Sequence, residues 1–115
     1  MADNCLFCKI VDGEIPATVV VDDDQVMAFR DLNPVAPTHV LVIPKRHISA
    51  ADQIGPDDAA VLAAMFVAAK QAAAVDGVDQ TGYRTVFNVG DDAGQSVPHL
   101  HLHVLGGRQM SWPPG

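Results

Sequence analysis

Apolar and polar positions follow two periods along the chain, and these periods predict both strands and helices. Five segments bounded by Gly, Pro or Asp carry the alternating or continuous apolar pattern of β-strands. They are residues 17–21, 25–30, 39–43, 83–89 and 97–105. The acidic turn Asp22-Asp23-Asp24 joins the first two segments and predicts a hairpin.

Two helices complete this pattern. Residues 7–12 provide one or two helical turns, and a long helix begins at residues 55–58. There a proline occupies the first turn and two carboxylates lie at the positive end of the helix dipole. The long helix continues to about Val75 and ends before Gly77. Strands and helices in this order predict one α+β domain over residues 1–115, long enough to enclose a single core.

The long helix is apolar around most of its circumference. Its main stripe consists of Leu62, Met65, Phe66 and Ala69, and the apolar positions outside that stripe are Val61, Ala64, Ala68 and Val75. Such a helix is usually covered on more than one side. We therefore expect the sheet on one side and a second subunit on the other, in a two-fold pair. The alternative is an alanine-rich helix with one side in solvent.

The last predicted strand has a histidine at every second position: His99, His101 and His103, with Leu100 and Leu102 between them. Side chains alternate between the faces of a strand, so the three imidazoles share one face and the apolar residues share the other. Imidazole changes its charge near neutral pH and serves as a nucleophile and as a metal ligand. Three in strict alternation exceed what a solvated strand face requires, so the pattern indicates a functional site.

Composition excludes several partners. The formal charge is −7 and the isoelectric point is near 4.8, whereas surfaces that bind nucleic acid or anionic membranes are basic. The longest apolar run, residues 59–69, is too short to span a bilayer. Residues 1–4 lack the features of a secretory signal. We expect a soluble, cytoplasmic protein that binds neither nucleic acid nor membrane.

The two cysteines form a Cys-x-x-Cys motif, Cys5 and Cys8. In a cytosolic chain this motif indicates metal or redox chemistry more often than a structural disulfide. A thioredoxin-type site is disfavoured because no predicted strand precedes Cys5. Zinc requires four nitrogen or sulfur ligands, and the residues alone leave His39, His47 and the histidine triad as candidates. A pair of unliganded thiols is the alternative.

The run from His99 to Leu105 resembles the His-φ-His-φ-His-φ-φ signature of the histidine triad (HIT) superfamily, where φ is apolar. Motifs at residues 36–39, 94–97 and 106–115 make the chain similar to the Hint branch, the nucleoside phosphoramidases, in its zinc-containing bacterial form. The resemblance implies a HIT-like fold. That fold is a five-stranded antiparallel sheet with one short and one long helix, and it forms a two-fold homodimer whose sheets join side by side.

The resemblance implies that His101 is the nucleophile of a nucleotidyl-histidine intermediate, which water then hydrolyses. The chemistry agrees, because a neutral imidazole attacks with one nitrogen while the other donates a hydrogen bond that sets the tautomer. His103, Ser96 and Asn88 match family positions around the α-phosphate, with Ser96 near the leaving amine. His39 matches a histidine that supports the triad through hydrogen bonds.

Further nucleotide-binding positions follow from the same resemblance. The family uses the position of Asp31 for the 2′- and 3′-hydroxyls of ribose, although an Asp after a strand is otherwise a turn residue. Gly94 allows the backbone to approach the phosphate closely, and Gln95 belongs to the same nucleotide-binding motif. The apolar residues that match the slot for the base are Phe7, Ile10, Phe29 and Leu32.

Zinc-containing relatives combine a Cys-x-x-Cys with a histidine after the central strand and with the first histidine of the triad. This implies that Cys5, Cys8, His47 and His99 bind a structural Zn²⁺. All four positions would be filled by protein, so such an ion would not activate water.

The implied function is hydrolysis of the P–N bond in purine nucleoside 5′-phosphoramidates, in which AMP or GMP carries an amine. One alternative is a dinucleoside polyphosphate hydrolase of the same superfamily, which the Hint-like tail at residues 106–115 disfavours. Another is a zinc-stabilised nucleotide-binding or interaction module with little turnover, which the set of His101, His103 and Ser96 disfavours.

Overall fold

The computed structural model describes residues 4–115 and has the predicted α+β organisation. In this range the elements are α1 (Leu6–Val11), β1 (Val19–Asp22), β2 (Val26–Arg30), β3 (Thr38–Pro44), α2 (Ala59–Val75), β4 (Tyr83–Phe87) and β5 (Leu102–Gly106). Two 3₁₀ turns, Ala51–Gln53 and Pro56–Asp58, precede α2. The prediction about a secretory signal concerns residues 1–4, of which residues 1–3 lie outside the described residues.

The strands form an antiparallel sheet in the order β1-β2-β3-β5-β4, which confirms the expected five-stranded architecture for residues 4–115. Central β3 is buried along its whole length, as expected for a strand covered on both faces. β3 lies between two strands that are distant in sequence, because Leu41 pairs with Phe29 of β2 on one side and with His103 of β5 on the other. The end of the chain therefore lies beside its first third.

Helix α2 covers one face of the sheet, with Met65 and Ala69 in the core as the sequence predicts. Phe66, assigned to the same stripe, is instead 45% exposed, while Val61 and Ala68 are buried. That part of the prediction is wrong because it followed the larger side chains. The sheet contact also uses small alanines, which allow a close approach.

The stretch Pro56–Val75 is long and apolar enough, with a mean hydropathy of 1.5, to cross a membrane by length and composition alone. The sequence analysis considered only the shorter apolar run of residues 59–69 and judged it too short to span a bilayer. In the fold this stretch packs on β2 and β3, and the buried Met65, Ala69 and Ala72 face the sheet core. Contact with the sheet accounts for the buried third of this stretch.

The opposite face of the sheet is partly covered by short α1. Phe7 packs there with Phe29 of β2 and Leu41 of β3, and the Phe7 and Phe29 rings meet edge to face at 5.5 Å. Cys5 caps the helix, since its sulfur accepts a hydrogen bond from the Cys8 amide at 3.3 Å. The six residues of α1 cover only part of this face, and a cavity occupies the adjoining area.

The last strand is shorter than the sequence predicts. A strand over residues 97–105 was expected, but β5 begins at Leu102, where its pairing with both neighbours also begins, at Val42 and Phe87. Before that point the Leu100 amide donates to the Ile48 carbonyl, in the loop that follows β3. Leu100 still lies in the core that α2 covers.

Candidate functional site

A cavity of about 240 Å³ lies beside α1, the end of β2 and the middle of β3. The expected nucleotide-binding residues that line it are Phe7, Ile10, Phe29, Asp31, Leu32, Ser96, His101 and His103. Residues that the sequence did not indicate also line it, namely Leu6, Ile15, Pro16, Ala17, Arg30, Asn33, Leu41 and Val97. Most of these are apolar residues that sequence alone assigns to an ordinary core or loop. The cavity is thus an apolar slot with a few polar groups, as small-molecule sites usually are.

Three of the expected nucleotide-binding residues, Asn88, Gly94 and Gln95, lie outside the lining of this cavity, as does the expected supporting residue His39. Asn88 directly follows β4, and Gly94 forms part of the following turn with a φ of +79° that favours glycine. The Gln95 amide nitrogen donates to the carbonyls of Ser49 and Val97 at 2.8 and 3.0 Å. In this arrangement the Gln95 side chain holds the loop before β5 against the rest of the fold.

His101 is held in one tautomer by its backbone surroundings. Its Nδ1 lies 2.7 Å from the carbonyl oxygen of His99, and because that oxygen can only accept, Nδ1 carries the proton and donates. Nε2 of a neutral His101 then keeps its lone pair. The Phe7 ring lies edge-on to the imidazole at 5.2 Å, and only 6% of His101 is exposed. A buried, oriented imidazole with a lone pair has the properties of a nucleophile.

A second pair of histidines forms a hydrogen-bonded chain. The Val35 amide donates to Nδ1 of His39 at 3.1 Å, so a neutral His39 carries its proton on Nε2. That nitrogen lies 2.9 Å from Nδ1 of His103 and donates to it. His103 must then carry its own proton on Nε2, and it can donate to a ligand.

Burial keeps both of these imidazoles neutral. Desolvation lowers the pKa of His103 to about 4, with His101 and His39 adding to the effect and Asp31 opposing it. Desolvation also lowers the pKa of His39, and the Asp31 carboxylate opposes this shift. Near neutral pH the pair therefore acts through hydrogen bonds rather than through charge.

Asp31, His39 and His103 bring three potential metal ligands within 4.8 Å of one another. The hydrogen bonds argue against a metal there. Nδ1 of His39 is occupied by the Val35 amide, so its proton resides on Nε2, the nitrogen that would have to bind the ion. The cluster is better described as a hydrogen-bonded chain.

The other cluster of potential ligands consists of Cys5, Cys8, His47 and His99, whose ligand atoms all lie within 4.8 Å of one another. The structure therefore brings together the four residues that the sequence resemblance implies. Nδ1 of His99 lies 3.2 Å from the Cys5 sulfur and 3.1 Å from Nδ1 of His47. The Cys8 sulfur lies 3.4 Å from the same His47 atom.

These separations of 3.1, 3.2 and 3.4 Å lie at or slightly below those around a small tetrahedral cation. Bonds of about 2.0–2.1 Å to nitrogen and about 2.3 Å to sulfur place tetrahedral ligands roughly 3.3–3.8 Å apart. Nε2 of His99 lies 2.9 Å from the Pro44 carbonyl, to which it can donate, and this bond leaves Nδ1 unprotonated toward the cluster. Burial and the neighbouring Cys5 raise the pKa of the Cys8 thiol to about 11, and a bound divalent cation would oppose this by stabilising the thiolate. The donor set can hold a metal ion.

His99 links the potential metal site to His101. Its side chain belongs to the potential metal site, while its carbonyl oxygen accepts the hydrogen bond from His101. Phe7 contacts both, with its ring 5.8 Å from the His99 ring and 5.2 Å from the His101 ring. Whatever holds His99 and α1 in place also orients the candidate nucleophile.

The α+β arrangement of a five-stranded antiparallel sheet with one short and one long helix is the fold of the HIT family hydrolases. The chain belongs to the HIT domain family, whose model matches residues 12–110. It is 48% identical to an uncharacterized HIT-like protein of Synechocystis over 115 residues, the full length of both.

Solved structures show the same fold. The crystal structure of a HIT family hydrolase from Legionella pneumophila matches with a TM-score of 0.94 and 56% identity, over 97% of this chain and 100% of that one. A histidine triad nucleotide-binding protein from Candida albicans matches with a TM-score of 0.81 and 34% identity, over 95% of this chain and 82% of that one.

Proposed function

We propose that this protein, as a Hint-type HIT hydrolase, cleaves the P–N bond of purine nucleoside 5′-phosphoramidates, with His101 as the nucleophile. The observation that carries the proposal is the 2.7 Å hydrogen bond from Nδ1 of His101 to the His99 carbonyl. It holds an imidazole with an available Nε2 lone pair beside a cavity that Asp31, Ser96 and His103 also line.

The reaction proceeds in two displacements. Nε2 of His101 attacks the α-phosphorus to form the nucleotidyl-histidine, the bond from phosphorus to the amine breaks, and the amine leaves with the bonding electron pair and the hydroxyl proton of Ser96. Water then attacks the same phosphorus, breaks its bond to Nε2, and returns a proton to Ser96. The products are a nucleoside 5′-monophosphate and the free imidazole. The Nε2 proton of His103 stabilises the charge on the phosphate oxygens. His39 supports His103 by donating a hydrogen bond to its Nδ1.

The nucleotide occupies the cavity with its base against apolar side chains and its ribose at Asp31. Phe7 and Phe29 supply aromatic surface for a purine, and Ile10 and Leu32 extend it. The phosphate side is completed by the β4–β5 loop. The residues of that loop assigned to the phosphate are Asn88, Gly94 and Gln95.

Replacing Asp31 by alanine tests the ribose assignment. The loss of a charged acceptor for two hydroxyls should cost about 1.5–3 kcal/mol of transition-state binding. We expect kcat/KM for ribonucleotide substrates to fall accordingly, with little change for 2′,3′-dideoxy analogues. Asp57→Ala, which removes an exposed carboxylate before α2, is the matched control. An equal fall for both substrate classes would make Asp31 a structural residue.

We propose that the second cluster binds a structural Zn²⁺ through Cys5, Cys8, His47 and His99. Support comes from the convergence of two thiols and two imidazole nitrogens, whose ligand atoms all lie within 4.8 Å of one another. When bound, the ion would tie α1 to the sheet and take no part in bond cleavage, because protein ligands would fill its coordination sphere.

Steady-state rates with adenosine 5′-phosphoramidate and with a diadenosine polyphosphate, measured side by side, test the proposed activity. We expect faster cleavage of the P–N bond. Preferential cleavage of the polyphosphate would indicate the other branch of the superfamily. Tight AMP binding without turnover of either compound would indicate a binding module.

We propose a homodimer that covers the outer side of α2 and the free edge of β4. Phe66 is 45% exposed there and meets Phe87 of β4 edge to face at 6.1 Å, while Val67 and Val75 are 47% and 64% exposed. β4 is an edge strand of the sheet, so a second copy can extend the sheet beside it. An exposed apolar group of this kind next to an unpaired edge favours a two-fold partner.

Light scattering tests the dimer. The wild-type protein should have twice the 12.2 kDa mass of the chain, and Phe66→Asp should shift it toward the monomer because a buried unpaired charge is costly. Thr18→Asp, at an exposed position beside β1 on the opposite edge of the sheet from β4, should leave the mass unchanged. A monomeric wild-type protein would contradict the proposal.

A cytoplasmic location without nucleic acid or membrane partners is part of the same proposal. The net charge of −7 supports it, because such partners require a basic surface. The thiols in the metal cluster also suit a reducing compartment.

A further inference from the structure

Arg30, Asp76 and Thr38 form a cluster, here called the clamp, that joins the end of α2 to the ends of β2 and β3. The Arg30 guanidinium donates to both carboxylate oxygens of Asp76, at 2.8 Å each. The Thr38 hydroxyl donates to one of these oxygens, also at 2.8 Å. Arg30 borders the cavity, yet its charge is engaged by Asp76 rather than offered to a ligand.

Asp76 is locally unfavourable where it stands. It is the C-cap residue of α2, and a carboxylate at the negative end of a helix dipole is destabilising. The hydrogen bonds from Arg30 and Thr38 offset this effect, and they lower the pKa of Asp76 to about 2 despite partial burial. A residue that breaks a local rule and is held by distant partners points to a role beyond ending the helix.

The two residues that donate to this carboxylate each precede a residue of the candidate site. Asp31 follows Arg30 and lines the cavity, while His39 follows Thr38 and contacts His103. The Asp31 amide donates to the His39 carbonyl at 3.0 Å, and the Asp31 carboxylate lies 3.3 Å from Nε2 of His39. A shift between Arg30 and Thr38 would therefore also be a shift between Asp31 and His39.

We propose that the clamp is a positioning device that sets the distance between Asp31 and His39 and so orients the His39–His103 pair. Arg30, Thr38 and Asp76 are positioning residues, which act through their chain neighbours. The clamp also makes this geometry depend on where α2 ends. The consequence for ribose binding rests on the proposed function, whereas the orientation of the imidazoles does not.

The first test is the imidazole ¹⁵N NMR spectrum of the ligand-free protein. Arg30→Met keeps the aliphatic stem and removes the ion pair, and Thr38→Val keeps the shape and removes one donor. Arg46→Met is the matched control, because it removes another exposed arginine that pairs with an aspartate, Asp58, before α2. We expect the signals of His39 and His103 to move in the first two variants and to stay in place in the control.

The second test compares the dissociation constants of AMP and 2′,3′-dideoxy-AMP. Loss of correct placement of Asp31 should reduce the preference for AMP by about twofold to tenfold in Arg30→Met and in Thr38→Val, the range for a hydrogen bond. The Arg46→Met control should keep the wild-type ratio.

Unchanged imidazole signals in Arg30→Met and Thr38→Val, accompanied only by a lower melting temperature, would overturn the proposal and make the clamp a simple anchor for α2. Thr38→Val decides the matter if Arg30→Met fails to fold. A wild-type protein that does not bind AMP would refute the proposed function instead, and the imidazole signals would still decide on the clamp.

Discussion

The His101→Ala variant is expected to lose turnover of adenosine 5′-phosphoramidate by at least about 10³-fold while it still binds AMP. Removal of the nucleophile acts on the transition state, whereas the apolar slot and Asp31 that hold the nucleotide remain. Mass spectrometry of wild-type protein quenched during turnover should reveal an adduct one nucleotide heavier than the chain.

His101→Asn sharpens this experiment. An asparagine amide can still donate to the His99 carbonyl, so this variant removes the nucleophilic nitrogen while leaving a partner for that oxygen. Both variants should be equally inactive if nucleophilic attack is the role of His101. Substantial activity in either one would refute the assignment.

Removal of the metal is expected to have the largest effect on stability. Protein purified without chelator should contain about one zinc per chain, and chelation or Cys8→Ala should lower the melting temperature by at least roughly 10 °C, because metal binding contributes to the free energy of unfolding. The folded fraction should keep far more activity than His101→Ala does. Elemental analysis, thermal unfolding and rates per folded molecule measure these effects.

Two variants give this experiment its controls. Lys9→Ala changes a neighbouring side chain of α1 without touching a ligand, and it should retain both zinc and melting temperature. His99→Ala should lose zinc and also show a moderate rate defect, since His101 bonds to the backbone of His99. Protein without zinc, or complete loss of turnover with an intact fold after chelation, would contradict a structural metal.

Local patterns predict much of this fold. The continuous apolar run of β3 and the proline before α2 predict where these two elements begin and end, to within a few residues of the observed limits. Residues 97–101 differ because the alternation of apolar residues sets which side each side chain faces, not which backbone groups pair. Both neighbouring strands pair with β5 only from Leu102 onward. His99 and His101 therefore keep the alternating pattern in a segment that has no strand pairing.

The site was predictable only where its residues carry a motif. The triad histidines and the two cysteines belong to spaced patterns, and the structure brings Cys5, Cys8 and His99 together in one cluster and His103 into another. Ile15, Leu41 and Arg30 have no such pattern, because an apolar wall or an ion pair depends on which distant segments meet. Arg30 and Asp76 are 46 positions apart, at the end of β2 and at the end of α2, and neither residue is unusual by itself.

The distribution of the metal ligands along the chain bears on biosynthesis. Cys5 and His99 are 94 positions apart, so the two cysteines are synthesised well before the last of the candidate ligands. The wall of the cavity likewise joins Phe7 to His101 and His103. Both sites are therefore completed only when the segment that contains β5 has been made and has joined the sheet.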